Sequence, residues 1–204
     1  MCGRYFLKVN IDELLERYGI LRSEIKLSAG DEICPSRQVP VIIYQERPEL
    51  ELARWGFPAS FQKRLLINAR AETIGERKSF KGPFRNQRCL IPANAFFEWS
   101  TEGKNKIKHR IYLKEKEIFS LAGVYNLFPD QKGRMGINFV IITTEANKKI
   151  QPIHHRMPVI LRQEDELDWL NPASEPEKLR EILKPYPEDK VIIQREDGQL
   201  RLQF

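Results

Sequence analysis

Cysteine and histidine are scarce in this sequence of 204 residues, which contains three of each. The cysteines, Cys2, Cys34 and Cys89, form neither a Cys-x-x-Cys pair nor a cluster with histidine. Their spacing argues against a disulfide framework and a zinc site, and it favours free thiols in a reducing cytosol. We expect Cys34 and Cys89 to be inert small hydrophobic residues. No metal and no diffusible cofactor is implied.

Long apolar runs are also missing. No stretch approaches the roughly 18 to 20 residues that a membrane-spanning helix needs, and no apolar segment follows a basic flank near the start. We therefore expect a soluble cytoplasmic protein without a signal peptide or a membrane partner. Repeats and low-complexity linkers are absent too, and the length suits a single domain over residues 1–204.

Basic residues are plentiful but unevenly placed. The net charge is +6, with 27 Lys or Arg against 17 Asp or Glu in residues 1–159, and 7 against 11 in residues 160–204. Residues 63–88 alone contain eight basic and two acidic side chains. A basic body of this kind is typical of proteins that bind a polyanion such as nucleic acid, although many basic proteins bind none.

The pattern of apolar and turn residues predicts an α+β fold. One helix is expected over residues 11–18, with Asn10 and Glu13 forming a capping box and Gly19 ending it. Two more are expected over residues 164–170 and 175–183, the second capped by Ser174. Short strands are expected at residues 39–44, 50–55, 65–68, 89–91, 96–99, 110–113, 118–125 and 137–143. Many strands and few helices indicate a curled, mostly antiparallel, barrel-like sheet with peripheral helices.

The residue after the initiator methionine has unusual chemistry. Methionine is normally removed when the next side chain is small, and loss of Met1 would give Cys2 a free α-amine beside its thiol. The amine of such a 1,2-aminothiol adds to an aldehyde, and the thiol then closes a five-membered thiazolidine ring. An α-amine has a reference pKa of about 7.7–8.0, so a useful fraction is nucleophilic at neutral pH. The alternative is a disordered terminus without function.

Two polar residues lie in or beside predicted strands. Asn68 ends an apolar run, where its amide could accept a hydrogen bond from an amine, and Arg70 could bind a phosphate through two hydrogen bonds. Glu98 stands between aromatic residues, and a carboxyl group in apolar surroundings can stay protonated and act as a general acid. The alternatives are a turn with ordinary surface charges and a solvated glutamate on an edge strand.

Two of the three histidines, His154 and His155, stand together before an apolar run. Histidine titrates near neutral pH and is suited to proton transfer. If this segment is extended, adjacent side chains point to opposite faces, so Arg156 shares the face of His154 while His155 points away. A pair of surface histidines without a catalytic role is the alternative.

Taken together and in order, these motifs resemble the SOS-response-associated peptidase (SRAP) family, whose members shield abasic sites by crosslinking to DNA. The resemblance spans roughly residues 1–170. It rests on Met1-Cys2-Gly3-Arg4-Tyr5, Pro35-Ser36, Val39-Pro40-Val41, Arg54-Trp55-Gly56-Phe57, Asn68-Ala69-Arg70-Ala71-Glu72-Thr73, Arg88-Cys89-Leu90-Ile91-Pro92-Ala93, Phe97-Glu98-Trp99, Leu121-Ala122-Gly123, Thr143-Thr144-Glu145-Ala146-Asn147, and His154-x-Arg156-Met157-Pro158-Val159-Ile160-Leu161.

The resemblance implies a role for each candidate residue. Cys2 would be the nucleophile, Asn68 would position its amine, and Glu98 would be the acid–base group. His154 would be a second proton-transfer or oxyanion-stabilising group. The residues implied to contact DNA are Arg4, Arg70 and Arg156, at phosphates, and Trp55, as a stacking platform.

The implied partner is single-stranded DNA with an abasic site, because the sugar must be splayed out to enter a pocket. The implied product is a thiazolidine crosslink that protects the strand, with strand cleavage as a side activity. A monomer, associated with the nucleoid when it acts on DNA, is expected.

Two other classes of protein explain part of the same pattern. The first is a cysteine peptidase, with autoproteolysis as one possible activity, that uses Cys2 with His154 and Glu98. The second is a non-catalytic nucleic-acid binding module in which Cys2 has no role.

Overall fold

A computed structural model of the protein describes residues 2–26, 31–59, 64–130 and 132–196. Met1, whose removal the crosslinking chemistry requires, lies outside the described residues. The helices are α1 (Ile11–Tyr18), α2 (Lys78–Asn86), α3 (Glu166–Leu170) and α4 (Pro176–Ile182). The strands are β1 (Tyr5–Leu7), β2 (Asp31–Ile33), β3 (Gln38–Tyr44), β4 (Pro48–Trp55), β5 (Phe57–Pro58), β6 (Leu65–Leu66), β7 (Asn68–Arg70), β8 (Arg88–Ala93), β9 (Ala95–Glu102), β10 (Asn105–Leu113), β11 (Phe119–Pro129), β12 (Met135–Glu145), β13 (Arg156–Pro158) and β14 (Val191–Glu196).

Five of the strands close into a barrel. Their order is β11-β8-β3-β4-β12, and β12 pairs back with β11. The β4–β12 pair is parallel, whereas the other pairs around the barrel are antiparallel. Strands β7 and β13 also pair with β12, and a second, antiparallel sheet has the order β14-β10-β9-β1-β2. The predicted α+β fold with a curled, mostly antiparallel sheet is therefore confirmed.

Alternate residues of the barrel strands face two different hydrophobic cores, because successive side chains of a strand point to opposite faces. In β8, Cys89 and Ile91 pack into the core that the barrel shares with the five-stranded sheet. Leu90, between them, packs into the second core, which the helices cover. Cys2 and Tyr5 belong to the first core, so the start of the chain is built into the centre of the fold.

Helix α1 begins and ends as the sequence predicts. The Asn10 side chain accepts a hydrogen bond from the Glu13 backbone N–H at 2.8 Å, and the Glu13 carboxylate accepts one from the Asn10 backbone N–H at 3.1 Å. Gly19 ends the helix with φ of 64°, a left-handed conformation that glycine adopts without strain. Local capping chemistry is sufficient to define this element.

Other elements differ from the predictions. Helix α2 was not predicted, because Gly82 and Pro83 are poor helix formers; burial of Phe80 and Phe84 against the barrel outweighs that preference. The predicted Ser174 cap is wrong, because the Ser174 hydroxyl donates to the Asp168 carbonyl instead and no side chain caps α4.

The far end of the chain also holds an unpredicted strand. Strand β14 pairs with β10 along six residues, from Val191 opposite Leu113 to Glu196 opposite Lys108. No helix in the described part of the chain is long and apolar enough to cross a membrane.

Arg88 has a structural role, although the sequence analysis counts it among the basic residues. It is buried, and its guanidinium donates to the carbonyls of Phe84, Trp169 and Asn171, at the ends of α2 and α3. Burial lowers the pKa of Arg88 to about 10. Arg88 is therefore unavailable to a polyanion, and it fastens two helices to the barrel.

Gly123 of β11 lies where two barrel strands approach closely. A Cβ atom there would lie 2.9 Å from the Cys89 Sγ atom and 3.0 Å from the Val140 carbonyl oxygen. We predict that Gly123→Ala lowers the free energy of unfolding by about 1–3 kcal/mol, the usual cost of overpacking a core. Urea denaturation measures this directly.

Gly82→Ala in α2 is the matched control, because a Cβ atom there would have no described atom within 4 Å beyond the neighbouring backbone of its own helix. It should be neutral, or stabilising by about 0.5–1 kcal/mol. Equal stability of Gly123→Ala and the wild type would contradict the close approach.

Candidate active site

Cys2 is held inside the protein. Its side chain is fully buried, and its Sγ atom lies 3.9 Å from the Arg4 carbonyl oxygen, to which the thiol donates. The Asn68 side-chain amide donates to the Cys2 carbonyl oxygen at 2.9 Å. Three residues further along the chain, Tyr5 packs against Trp55 with ring centroids 5.4 Å apart. These contacts rule out the alternative of a disordered terminus.

Asn68 is positioned by its strand. It begins β7, which runs parallel to β12 with Asn68 opposite Ile141. The side-chain nitrogen donates to Cys2, whereas the sequence analysis expected the amide to accept from an amine. The Oδ1 atom of Asn68 is buried and has no hydrogen-bond partner among the described residues. A buried acceptor without a hydrogen-bond partner lowers the stability of the fold unless a donor, such as a group of a ligand, binds to it.

Glu98 lies on β9, beside Phe96, and is 3% exposed. Burial raises the pKa of its carboxyl group, and the positive charge of His155 opposes that shift. Burial also raises the pKa of the Cys2 thiol, and the negative charge of Glu98 adds to the increase. The two acids are therefore close enough for ionisation of one to disfavour ionisation of the other.

The two histidines do not point to opposite faces as predicted. Residues 148–153 form turns, and β13 begins only at Arg156, so the segment is not extended. The rings of His154 and His155 stack with centroids 4.5 Å apart and planes inclined by 25°. His155 is exposed, and its ring lies against that of His154, so the two side chains share one side of the segment.

His154 is held through its Nδ1 atom. The Arg156 backbone N–H donates to Nδ1 at 2.9 Å, and the Arg156 carbonyl oxygen lies 3.0 Å from the same atom. When Nδ1 accepts this hydrogen bond, the neutral ring carries its proton on Nε2. Burial lowers the pKa of His154, with the Arg156 charge contributing in the same direction. The neutral ring is therefore favoured; its proton is on Nε2 when Nδ1 accepts from the Arg156 N–H, and on Nδ1 when that atom donates to the Arg156 carbonyl.

Two of the residues predicted to contact DNA are structural. Trp55 is 0% exposed, its Nε1–H donates to the Ile67 carbonyl at 2.9 Å, and its ring stacks on Phe139. A base cannot reach it, so the stacking prediction is wrong. Arg156 is 7% exposed and pairs through two hydrogen bonds, of 2.7 and 2.9 Å, with Glu72. Its guanidinium is engaged with Glu72, so a phosphate contact by Arg156 would need that pair to open, and the contact stays a prediction.

The other two predicted DNA contacts lie at the surface. Arg70 is exposed at the end of β7. Arg4 is partly exposed; it pairs with Glu32 at 3.0 Å, and its guanidinium lies 5.6 Å from the centre of the Trp99 ring. Sequence reasoning missed Glu32 and Trp99 because their proximity to Arg4 depends on the pairing of β1 with β2 and β9.

The described residues contain no group of three or more His, Cys, Asp or Glu side chains arranged to hold a metal ion. The thiols of Cys2 and Cys89 are free and buried, whereas that of Cys34 is free and partly exposed. The described site contains a thiol, a carboxyl group, an amide and two imidazoles.

The fold and this site define a known class of protein. The family model described as "SOS response associated peptidase (SRAP)" matches residues 1–196. The chain therefore belongs to the SRAP family, and the resemblance seen in its sequence is confirmed.

Named relatives and solved structures agree with this assignment. "Abasic site processing protein YoqW" of Bacillus subtilis is 37% identical over 201 residues, covering 94% of this chain and 90% of the relative. "Abasic site processing protein YedK" of Escherichia coli is 31% identical over 134 residues, covering 64% of this chain and 60% of the relative. A crystal structure of a Bacteroides thetaiotaomicron protein has 31% identity and a TM-score of 0.82, covering 95% of this chain and 91% of that one.

The Glu72–Arg156 pair fixes the two sides of the site relative to each other, since Glu72 follows Asn68 and Arg156 follows His154. The hydrogen bond from Arg156 lowers the pKa of Glu72, so the pair stabilises the fold above the unfolded pKa of Glu and is lost as pH falls through the folded pKa. We predict that Glu72→Gln lowers the free energy of unfolding at pH 7 by about 0.5–1.5 kcal/mol, because the Glu72 side chain is nearly half exposed and solvent screens the pair. The Glu72→Gln variant should also lose less stability than the wild type as the pH falls.

Urea denaturation at several pH values measures both effects. Glu49→Gln, which removes a surface carboxylate 3.8 Å from Arg47, is the matched control and should change stability little. If both variants behaved alike at every pH, the Glu72–Arg156 pair would not have the structural role assigned to it.

Proposed function

We propose that this protein shields abasic sites in single-stranded DNA by capturing their aldehyde with Cys2, after Met1 has been removed. The observation that carries the proposal is the fixed, buried position of Cys2, with Asn68 on its carbonyl and Glu98 within electrostatic reach of its thiol. A second-position cysteine without function needs no such support. The relatives named abasic site processing proteins support a role at the same kind of DNA lesion.

The first step is opening of the sugar. An abasic deoxyribose is mostly a closed hemiacetal, which has no aldehyde to react. Burial raises the pKa of Glu98, which favours the protonated carboxyl group that would donate to the ring oxygen. As the ring opens, the anomeric hydroxyl gives up its proton to solvent, from which the Glu98 carboxylate is reprotonated, so the open aldehyde is formed without net gain or loss of protons.

The second step is capture by the Cys2 amine. The unpartnered Oδ1 atom of Asn68 is suited to accept a hydrogen bond from this amine and to aim its lone pair at the aldehyde carbon. Addition gives a carbinolamine, which loses water to give an imine. The Cys2 sulfur then adds to the imine carbon, and its proton passes to the nitrogen. One water is released for each thiazolidine formed.

The raised pKa of the Cys2 thiol, together with one tautomer of His154, favours this chemistry over a cysteine peptidase. A peptidase needs a neutral imidazole nitrogen that can take the thiol proton. When Nδ1 of His154 accepts from the Arg156 backbone N–H, the neutral ring presents an Nε2–H donor instead of a base. Such a donor suits the departing hydroxyl of the carbinolamine. The raised pKa of the Cys2 thiol is also opposite to the lowered pKa of a reactive peptidase thiol.

The DNA strand would be held by the exposed cations around the site. Arg70, which is exposed, and Arg4, which is partly exposed, would contact phosphates of the strand. An imine that does not close to the thiazolidine can undergo β-elimination, which cuts the strand. Some lyase activity is therefore expected as a side path, and the thiol protects the DNA by removing the imine.

Cys2→Ala should abolish the stable adduct, because the thiol closes the ring. Binding to undamaged single-stranded DNA should be nearly unchanged, because the thiol is buried and contacts no phosphate. Cys2→Ser should leave a labile imine that borohydride can trap, together with more strand cleavage. Denaturing electrophoresis with an abasic oligonucleotide distinguishes these outcomes. An adduct of the Ala variant that survives SDS without borohydride would refute the thiazolidine mechanism.

Glu98→Gln should slow crosslinking to abasic DNA by about 10²–10⁴-fold, the usual contribution of general acid catalysis. Gln has a similar shape but cannot donate a carboxylic proton. A simple linear aldehyde needs no ring opening, so it should react with the variant almost as fast as with the wild type. Single-turnover rates on both substrates measure the difference. Wild-type rates on abasic DNA, or an equal defect on both substrates, would contradict the assigned role.

A further inference from the structure

A carboxylate bridges two cations on the outer face of the five-stranded sheet. Glu32 of β2 pairs with Arg4 at 3.0 Å and also accepts a hydrogen bond from the Lys108 ammonium. Both cations lower the pKa of Glu32 against the opposing effect of its partial burial. All three side chains are partly exposed, so a ligand can reach them.

Strand pairing brings these residues together beside the active site. Glu32 lies opposite Phe6 in the β1–β2 pair, and Lys108 lies opposite Trp99 in the β9–β10 pair. Arg4 is two residues from Cys2, and its carbonyl accepts a hydrogen bond from the backbone N–H of Phe97 at 2.9 Å. A strand whose abasic sugar reacts at Cys2 would reach this cluster through Arg4, the member that is nearest to Cys2 in the chain.

The two cations have supports other than Glu32. The Arg4 guanidinium lies 5.6 Å from the centre of the Trp99 ring, and the Lys108 ammonium lies 4.0 Å from the centre of the Phe97 ring. Cation–π contacts of this kind hold a charge over an aromatic face. Lys108 also pairs with Glu196 at 3.0 Å. Both cations can therefore keep their places if Glu32 moves away.

We infer that Arg4 and Lys108 form a phosphate-binding site, which Glu32 occupies until a phosphate of the DNA strand displaces it. The Glu32 carboxylate presents two oxygens to two cations, and the non-bridging oxygens of a phosphodiester can do the same. This inference rests on the proposed function. In this role Glu32 competes with every DNA strand, whether damaged or not. It therefore shortens the residence time of the protein on undamaged DNA.

The experiment measures binding of an undamaged oligothymidylate by fluorescence anisotropy over a range of salt concentrations. Glu32→Gln should bind about three- to tenfold more tightly at low salt, because the competing charge is gone. Its log–log salt dependence should steepen by about 0.7, the value for one further phosphate contact of a single strand. Glu102→Gln is the matched control, because it removes the same charge from an ion pair with Arg195 on the same sheet.

Lys108→Gln tests the site from the cationic side. It should weaken binding and flatten the salt dependence, and Glu32→Gln should give a smaller gain on this background because the two residues act as a unit. Thermal unfolding of each variant reports whether the fold is retained. Equal affinities of Glu32→Gln and Glu102→Gln, or weaker binding by Glu32→Gln, would overturn the inference, since Glu32 would then be neutral or would support DNA binding.

The wild type and Glu32→Gln also distinguish a failure of this inference from a failure of the proposed function. If the wild type forms the abasic adduct while Glu32→Gln gains no affinity, only the phosphate site is refuted. If the wild type forms no adduct, the proposed function fails, and the gain in affinity of Glu32→Gln on undamaged DNA still decides whether the phosphate site exists.

Discussion

The site depends on one constraint, which is that the start of the chain is fixed inside the protein. The Asn68 amide holds the Cys2 carbonyl at 2.9 Å, and the core shared by the barrel and the second sheet encloses the Cys2 side chain. An unrestrained terminus would present its amine and thiol in many arrangements, most of them unable to reach a bound aldehyde. In the proposed mechanism, fixing both groups beside Glu98 means that the entropic cost of orienting them is met before the substrate binds.

The rest of the site is arranged around this fixed point by pairing to β12. Strand β7 brings Asn68 alongside β12 from one side, and β13 follows His154 on the other. The Glu72–Arg156 ion pair joins these two segments, and Arg156 also donates to the Thr143 carbonyl at 2.7 Å. Arg156 thus acts through structure, by setting where the amide and the imidazole stand relative to Cys2.

The sequence predicts local features well and long-range ones poorly. The caps of α1 and the burial of Glu98 follow from neighbouring residues, and the structure has both. The exposure of Trp55 and Arg156 could not be predicted, because an aromatic ring or a guanidinium can serve a core or a surface equally well. The stacked histidines were missed because a turn ending at residue 153 replaces the expected strand. The cluster around Glu32 depends on the register of four strands, which no local pattern encodes.

Mass spectrometry of the protein–DNA adduct tests the central claim most directly. The N-terminal peptide should begin at Cys2, lack Met1, and carry the abasic deoxyribose less one water. Because an imine has the same mass as a thiazolidine, the adduct should also be treated with iodoacetamide and with borohydride. The account predicts that the Cys2 thiol resists alkylation and that the adduct takes up no hydrogen from borohydride. Attachment at a lysine, or a crosslinked peptide that retains Met1, would contradict it.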